Sequence, residues 1–333
     1  VTGVQTCALP IFIRYVSGPY FALQPYKTKR LAEIFISNPN NLVFRSWDIF
    51  DDPLIAPIFD LVLLPSIKVN QLIHATKNYP QVTLDTVKRA VQENLWSDLT
   101  KDFFESTQKA KTDQTVQIRV LFPYKLPANQ VTDELIIHVH GGGFVSMSSH
   151  SHQIYTRKWA LCLNKPIFSI DYSLAPQHKY PAGLDDCWQA YNWLVDNCEK
   201  WGIKPNKIIL IGESAGGNLI LGITFLAIRS KKRVPDGLLL AYPALDARIE
   251  KYTPSHLKAI DDGLVAYSYL KLFVHAYLHD IEIAKVDPLV SPLLAPNEIF
   301  SEFPPVKIVV GSNDPLYDDC WRLMDKLRKL KKN

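Results

Sequence analysis

Apolar residues fall on consecutive positions in five short runs: Leu135–Val139 (LIIHV), Pro166–Ile170 (PIFSI), Lys207–Ile211 (KIILI), Leu238–Ala241 (LLLA) and Val306–Val310 (VKIVV). Runs of this length suit strands buried on both faces of a parallel sheet. Between them the apolar spacing becomes helical, over Ala182–Glu199, Ser214–Ser230 and Asp318–Leu330. Strand–helix alternation predicts an α/β domain, with a mostly parallel sheet flanked by helices, over 116–333.

The chain before this domain has another texture. From Phe12 to about Glu105 it is helical in flavour and rich in Leu, Ile, Phe and Trp, which predicts a helical N-terminal region over 12–105. Asp85–Thr100 sets Val87, Ala90, Val91, Leu95 and Leu99 at helical spacing. Ser106–Thr115 is polar and reads as a linker. Val1–Ile11 (VTGVQTCALPI) resembles the translation of a sequencing-library adapter and is set aside from fold reasoning. The stretch 246–283 interrupts the alternation. It carries Tyr252, Tyr267, Tyr269, Leu270, Leu272, Phe273 and Tyr277, and predicts a helical insertion that either caps an apolar site or packs as ordinary helix.

Composition narrows the classes. Of 333 residues, 47% are apolar and 21% charged, as in an ordinary globular protein. A net charge of +4 is too weak a bias for a nucleic-acid partner. No uncharged apolar run approaches the roughly 18 residues of a membrane span. The five cysteines are odd in number and show no C-x-x-C pair, which favours reduced thiols and a cytoplasmic setting.

Candidate chemistry lies in glycine. Seven of the 14 glycines fall in two stretches, Gly141–Gly143 and Gly212, Gly216, Gly217 and Gly222, each directly after a predicted strand, where ligands bind in a parallel sheet. The stretch 212–218 (GESAGGN) fits G-x-S-x-G between a strand and an apolar helix, the setting of a nucleophile elbow with Ser214 at its tip. The turn leaves no room for side chains two positions either side of the serine, and the helix N-terminus behind it favours developing negative charge. The stretch 140–144 (HGGGF) suits an oxyanion hole, because consecutive glycines let backbone N–H groups approach a substrate. Ala215, just after the serine, supplies a further amide. Asp314, in the loop after VKIVV, stands where an orienting carboxylate belongs, while Asp318 and Asp319 read as the N-cap and first turn of the next helix. The pairs His138-x-His140 and His150-x-His152 raise a metal reading, but no nearby carboxylate has ligand spacing.

With HGGGF, these stretches resemble the hormone-sensitive lipase family of α/β hydrolases: DYSLAP (171–176), YPA (180–182), GESAGGN and DPLYDD (314–319). VPDGLLLAYPA (234–244), SPLLAP (291–296) and PPVKIVV (304–310) extend the likeness, which is good from about 130 to 330. The resemblance implies an α/β-hydrolase fold and cleavage of carboxylic esters: acylglycerols, sterol esters or smaller esters. It implies a triad with Ser214 as nucleophile and Asp314 as acid, and an oxyanion hole from Gly141, Gly142, Gly143 and Ala215, with Gly141 supporting the loop. No metal or organic cofactor is needed, and transient contact with a lipid-droplet or membrane surface is in keeping with such substrates. In this fold the triad histidine follows the acid. None of the nine histidines lies beyond Asp314, so the histidine is expected after Asn333. The other reading is a protein that binds a ligand on this fold without hydrolysing it, as the plant gibberellin receptors do.

Overall fold

A computed structural model describes residues 51, 56, 64–92, 114–125, 132–260, 262 and 265–330. Among the described residues, seven strands form one sheet: β1 (Val69–Thr76), β2 (Thr115–Phe122), β3 (Thr132–Val139), β4 (Ile167–Asp171), β5 (Ile203–Glu213), β6 (Gly237–Ala241) and β7 (Val306–Val309). Their order is β1-β2-β4-β3-β5-β6-β7. From β4 through β3, β5 and β6 to β7 every pairing is parallel, and β2 runs antiparallel to both β1 and β4.

The apolar runs of β3, β4 and β5 behave as their texture requires, whereas β7, at the end of the described sheet, exposes Lys307 and Val309. Successive residues of a strand point to opposite faces, so Leu135 and Ile137 enter one core while Ile136 enters another. In β5, Ile208 and Leu210 join the first core and Ile211 the second. Helices α3 (Ala182–Asn197) and α4 (Ala215–Arg229) bury Leu184, Trp188, Leu219 and Ile223 in the first core. Helix α2 (Gln153–Leu163) covers the other face with Ala160 and Trp159.

Two elements depart from the sequence expectation. Strand β1 lies inside the region read as helical; Val69, Ile73 and Ala75 pack inward, while Asn70, Leu72 and His74 face out. Strand β2 follows the polar linker directly, with Val116, Ile118 and Val120 inward and Gln117 and Arg119 on the opposite face. In the predicted 85–100 helix, the described part is α1 (Leu84–Gln92); the remainder lies outside the described residues, as does the adapter-like segment 1–11.

The aromatic insertion holds α5 (Pro254–Lys258) and α6 (Tyr267–Tyr277). A short α7 (Asn297–Ser301) and the last described helix, α8 (Tyr317–Lys329), follow. Among the described residues, no helix is long and apolar enough to cross a membrane. Cys162, Cys187, Cys198 and Cys320 are free thiols; Cys7 lies outside the described residues.

Candidate active site

Parallel strands put the ends of β3, β5 and β7 on one edge of the sheet, and each carries a loop of the candidate site. After β5 the chain turns at Ser214 into α4. Ser214 has φ +53° and ψ −118°, a sparsely populated conformation for a residue with a side chain. The turn around it is as crowded as its glycines suggest. A Cβ on Gly212 would lie 2.6 Å from the Gly216 carbonyl oxygen, and one on Gly216 only 2.0 Å from that of Val139. The Ser214 N–H donates to the Ala241 carbonyl, and its own carbonyl accepts from Ala244. The hydroxyl is not spent on capping α4.

The loop after β3 runs beside this turn. A Cβ on Gly141 would be 3.4 Å from the Ser214 Cβ. Gly142 (φ +104°) and Gly143 (φ +61°) occupy conformations that side chains disfavour. The Gly142 carbonyl is held by the N–H groups of Val145 and Ser146 and by the Ser146 hydroxyl. Among the described residues, the N–H groups of Gly142 and Gly143 have no protein acceptor. The Ala215 N–H opens α4, in the first turn where intrahelical acceptors are lacking. The Gly141 N–H, in contrast, donates to the Glu213 carboxylate over 3.3 Å, so Gly141 braces the loop.

Glu213 is the residue that sequence reasoning missed. It is buried, and its carboxylate accepts from His138 Nε2 at 3.1 Å, from His152 Nε2 at 2.9 Å and from the Tyr155 hydroxyl. Burial alone would raise its pKa, but His138 and His152 reverse this and hold it well below the usual carboxylate range. Burial opposes charging of His152, yet Glu213 raises its pKa overall. His140, buried and beside His152, is pushed down to about 3 and is neutral.

One member of each close histidine pair, His138 and His152, bonds Glu213 directly. His140 Nδ1 is bonded to the Gly141 carbonyl and His152 Nδ1 to that of Ser148. His150 pairs with Asp51 at 3.5 Å. A carboxylate does meet the histidines after all, but it comes from the elbow, some sixty residues further along. Among the described residues, no group of three or more His, Cys, Asp or Glu side chains is arranged to hold a metal.

Asp314 lies in the loop after β7, two strands from Ser214. Its carboxyl accepts the Leu316 N–H at 2.8 Å, and burial pushes its pKa up to about 6. Asp318 and Asp319 both sit in the first turn of α8, whose N-cap is Leu316, so Asp318 is not the cap. Asp318 accepts from the Ser255 N–H, and Asp319 pairs with Arg322 at 2.9 Å. Among the described residues, no histidine is hydrogen-bonded to Ser214 or Asp314.

Residues 136–333 match the α/β-hydrolase fold family, more than half of the chain. The chain belongs to that family. The resemblance to hormone-sensitive lipases is also found directly. The mouse enzyme of that name is 42% identical over 155 residues, 46% of this chain and 20% of that protein. This chain therefore spans about a fifth of the length of such relatives. An esterase of Acinetobacter venetianus is 32% identical over 206 residues, 61% of this chain and 64% of the relative. Among solved structures, the hyperthermophilic esterase of the archaeon Pyrobaculum calidifontis superposes with a TM-score of 0.67, covering 93% of this chain and 85% of its own; at 23% identity it speaks for the fold.

Proposed function

We propose that this protein is a serine hydrolase that cleaves carboxylic esters of lipids through an acyl-enzyme on Ser214. The observation that carries the reading is the strained Ser214 on its strand–turn–helix, beside a glycine loop in which the N–H groups of Gly142 and Gly143 have no acceptor among the described residues. Lipases and esterases among the relatives support ester cleavage.

In this reading the Ser214 hydroxyl attacks the ester carbonyl. A histidine acting as general base takes its proton, and Asp314 holds that imidazole in the right tautomer. The negative charge that develops on the carbonyl oxygen is met by the N–H groups of Gly142, Gly143 and Ala215. Each such donor is worth about 3–4 kcal/mol in the transition state. The alcohol leaves with the proton held by the histidine, and water then releases the acid.

The lipid preference and transient contact with a lipid surface are parts of the same proposal. Three of the basic residues of α8 are engaged by neighbouring groups. Lys326 donates to the carbonyls of Leu293 and Ala295, Arg322 pairs with Asp319, and Lys329 with Asp325.

The test is hydrolysis of a series of acyl esters from acetate to oleoylglycerol by the full-length gene product. Rates should rise with chain length and vanish in Ser214→Ala. Preference for acetate would indicate a small-ester carboxylesterase. Ligand binding without turnover would indicate the binding-protein reading.

A further inference from the structure

Helix α6 lies across the oxyanion loop. Tyr269, Phe273 and Tyr277 are four residues apart, which sets them on one stripe of the helix. Tyr277, at the end of the stripe, stacks on Phe144 with ring centroids 3.9 Å apart and planes 8° from parallel. Its carbonyl also accepts the Tyr180 N–H at 2.9 Å. The first contact anchors α6 on the residue that follows the three glycines, and the second ties it to Tyr180.

One turn earlier, Phe273 lies directly on Gly143. A Cβ built on Gly143 would be 2.4 Å from the Phe273 Cδ2 and 2.6 Å from its Cγ. The ring therefore occupies the space that a side chain would need at this position. Phe273 is only partly buried, and Tyr269 stacks against it at 6.3 Å, continuing the aromatic surface away from the loop.

An ester whose carbonyl oxygen accepts the Gly143 N–H must lie within about 3 Å of that nitrogen. The acyl group beyond its α-carbon then extends toward the ring that rests on the same glycine. We infer that Phe273 is a specificity-determining residue. Its flat face sets the bulk of the acyl group beside Gly143, admitting slim linear chains and rejecting branched ones. The inference rests on the assignment of Ser214 and its oxyanion loop. It adds the feature of the acyl group that is selected and the side chain that selects it.

The experiment compares kcat/KM for p-nitrophenyl hexanoate, pivalate and acetate in the full-length gene product, for the native protein and for Phe273→Ala and Phe273→Leu. Removing a ring's worth of carbon from an apolar pocket should raise the pivalate-to-hexanoate ratio about tenfold or more in Phe273→Ala, with a smaller rise in Phe273→Leu. Acetate, too small to reach the ring, should change less than twofold. Should Phe273→Ala fail to fold, Phe273→Leu carries the comparison. A ratio that stays within twofold in folded variants overturns the inference, and so does an equal loss on all three esters, which would mark Phe273 as a support for the loop. Acetate turnover that survives Ser214→Ala would instead overturn the assignment of the nucleophile.

Discussion

The Gly141 N–H donates to the carboxylate of Glu213 over 3.3 Å, which joins the first glycine of the HGGG loop to the residue just before Ser214, the proposed nucleophile. Two loops from different strands are thereby held in one frame. The carboxylate is in turn fixed by His138, His152 and Tyr155, none of which is near it in the chain. The bottom of the site is a buried ionic network.

Glu213→Gln should therefore cost stability as well as activity. Removing one charge from a buried ion pair leaves its partners uncompensated, with a loss of roughly 3–5 kcal/mol. The pH dependence has a definite sign. The folded pKa of Glu213 is depressed, so its stabilisation is complete above the ordinary value of 4.5 and disappears as pH falls through the folded value. Urea unfolding at pH 7 and pH 3 should show a gap between native protein and variant that shrinks in acid. A gap that is the same at both values would mean that the ionic network does not stabilise the fold.

Gly142 and Gly143 should differ in tolerance. A methyl on Gly142 would stand 2.1 Å from the Ser146 carbonyl oxygen, which is backbone and cannot swing aside. A methyl on Gly143 meets a side chain, the Phe273 ring. Gly143→Ala should lose about 2–4 kcal/mol, from its left-handed conformation and from overpacking, and Gly142→Ala more. Adding Phe273→Leu to Gly143→Ala should recover about 1 kcal/mol, because the two positions share one space. Equal losses at the two glycines, or strictly additive behaviour of the pair, would contradict the described contacts.

Much of this site could be read from the chain before the structure. The elbow at Ser214 and the HGGG loop are local signals, since each depends on a turn flanked by a strand and, at the elbow, a helix. The five apolar runs all correspond to strands; those of β3 and β4 are buried on both faces, whereas β7 exposes Lys307 and Val309 on one face. Strands β1 and β2 were less legible because each lies beside a polar or helical stretch. Exposed Leu72 blurs the alternation of β1. The role of Glu213 was hidden because its partners lie 58 to 75 residues away, brought in by β3 and α2. No local pattern encodes that meeting.

Asp287 gives a second pH signature, of opposite sign. It is fully buried, and burial pushes its pKa up to about 7 against the hydrogen bonds from the Tyr180 hydroxyl and the Leu289 N–H. A raised carboxyl pKa favours the protonated fold. Its contribution is present at low pH and lost as pH rises from the ordinary value of 3.8 through about 7. Between pH 5 and 8 that loss should reach about 3 kcal/mol. Asp287→Asn does not titrate, so the native protein should lose stability relative to the variant over this range. Parallel stability curves would show that Asp287 is not titrating there.

The central claim is that Ser214 is a nucleophile whose hydroxyl is activated. Its most direct test is treatment of the full-length gene product with a fluorophosphonate, followed by peptide mapping by mass spectrometry. The account predicts one phosphonyl adduct, on the peptide containing Ser214, absent from Ser214→Ala and from protein unfolded in urea. A folded protein that takes up no probe at Ser214, or that labels equally well in Ser214→Ala, would contradict it.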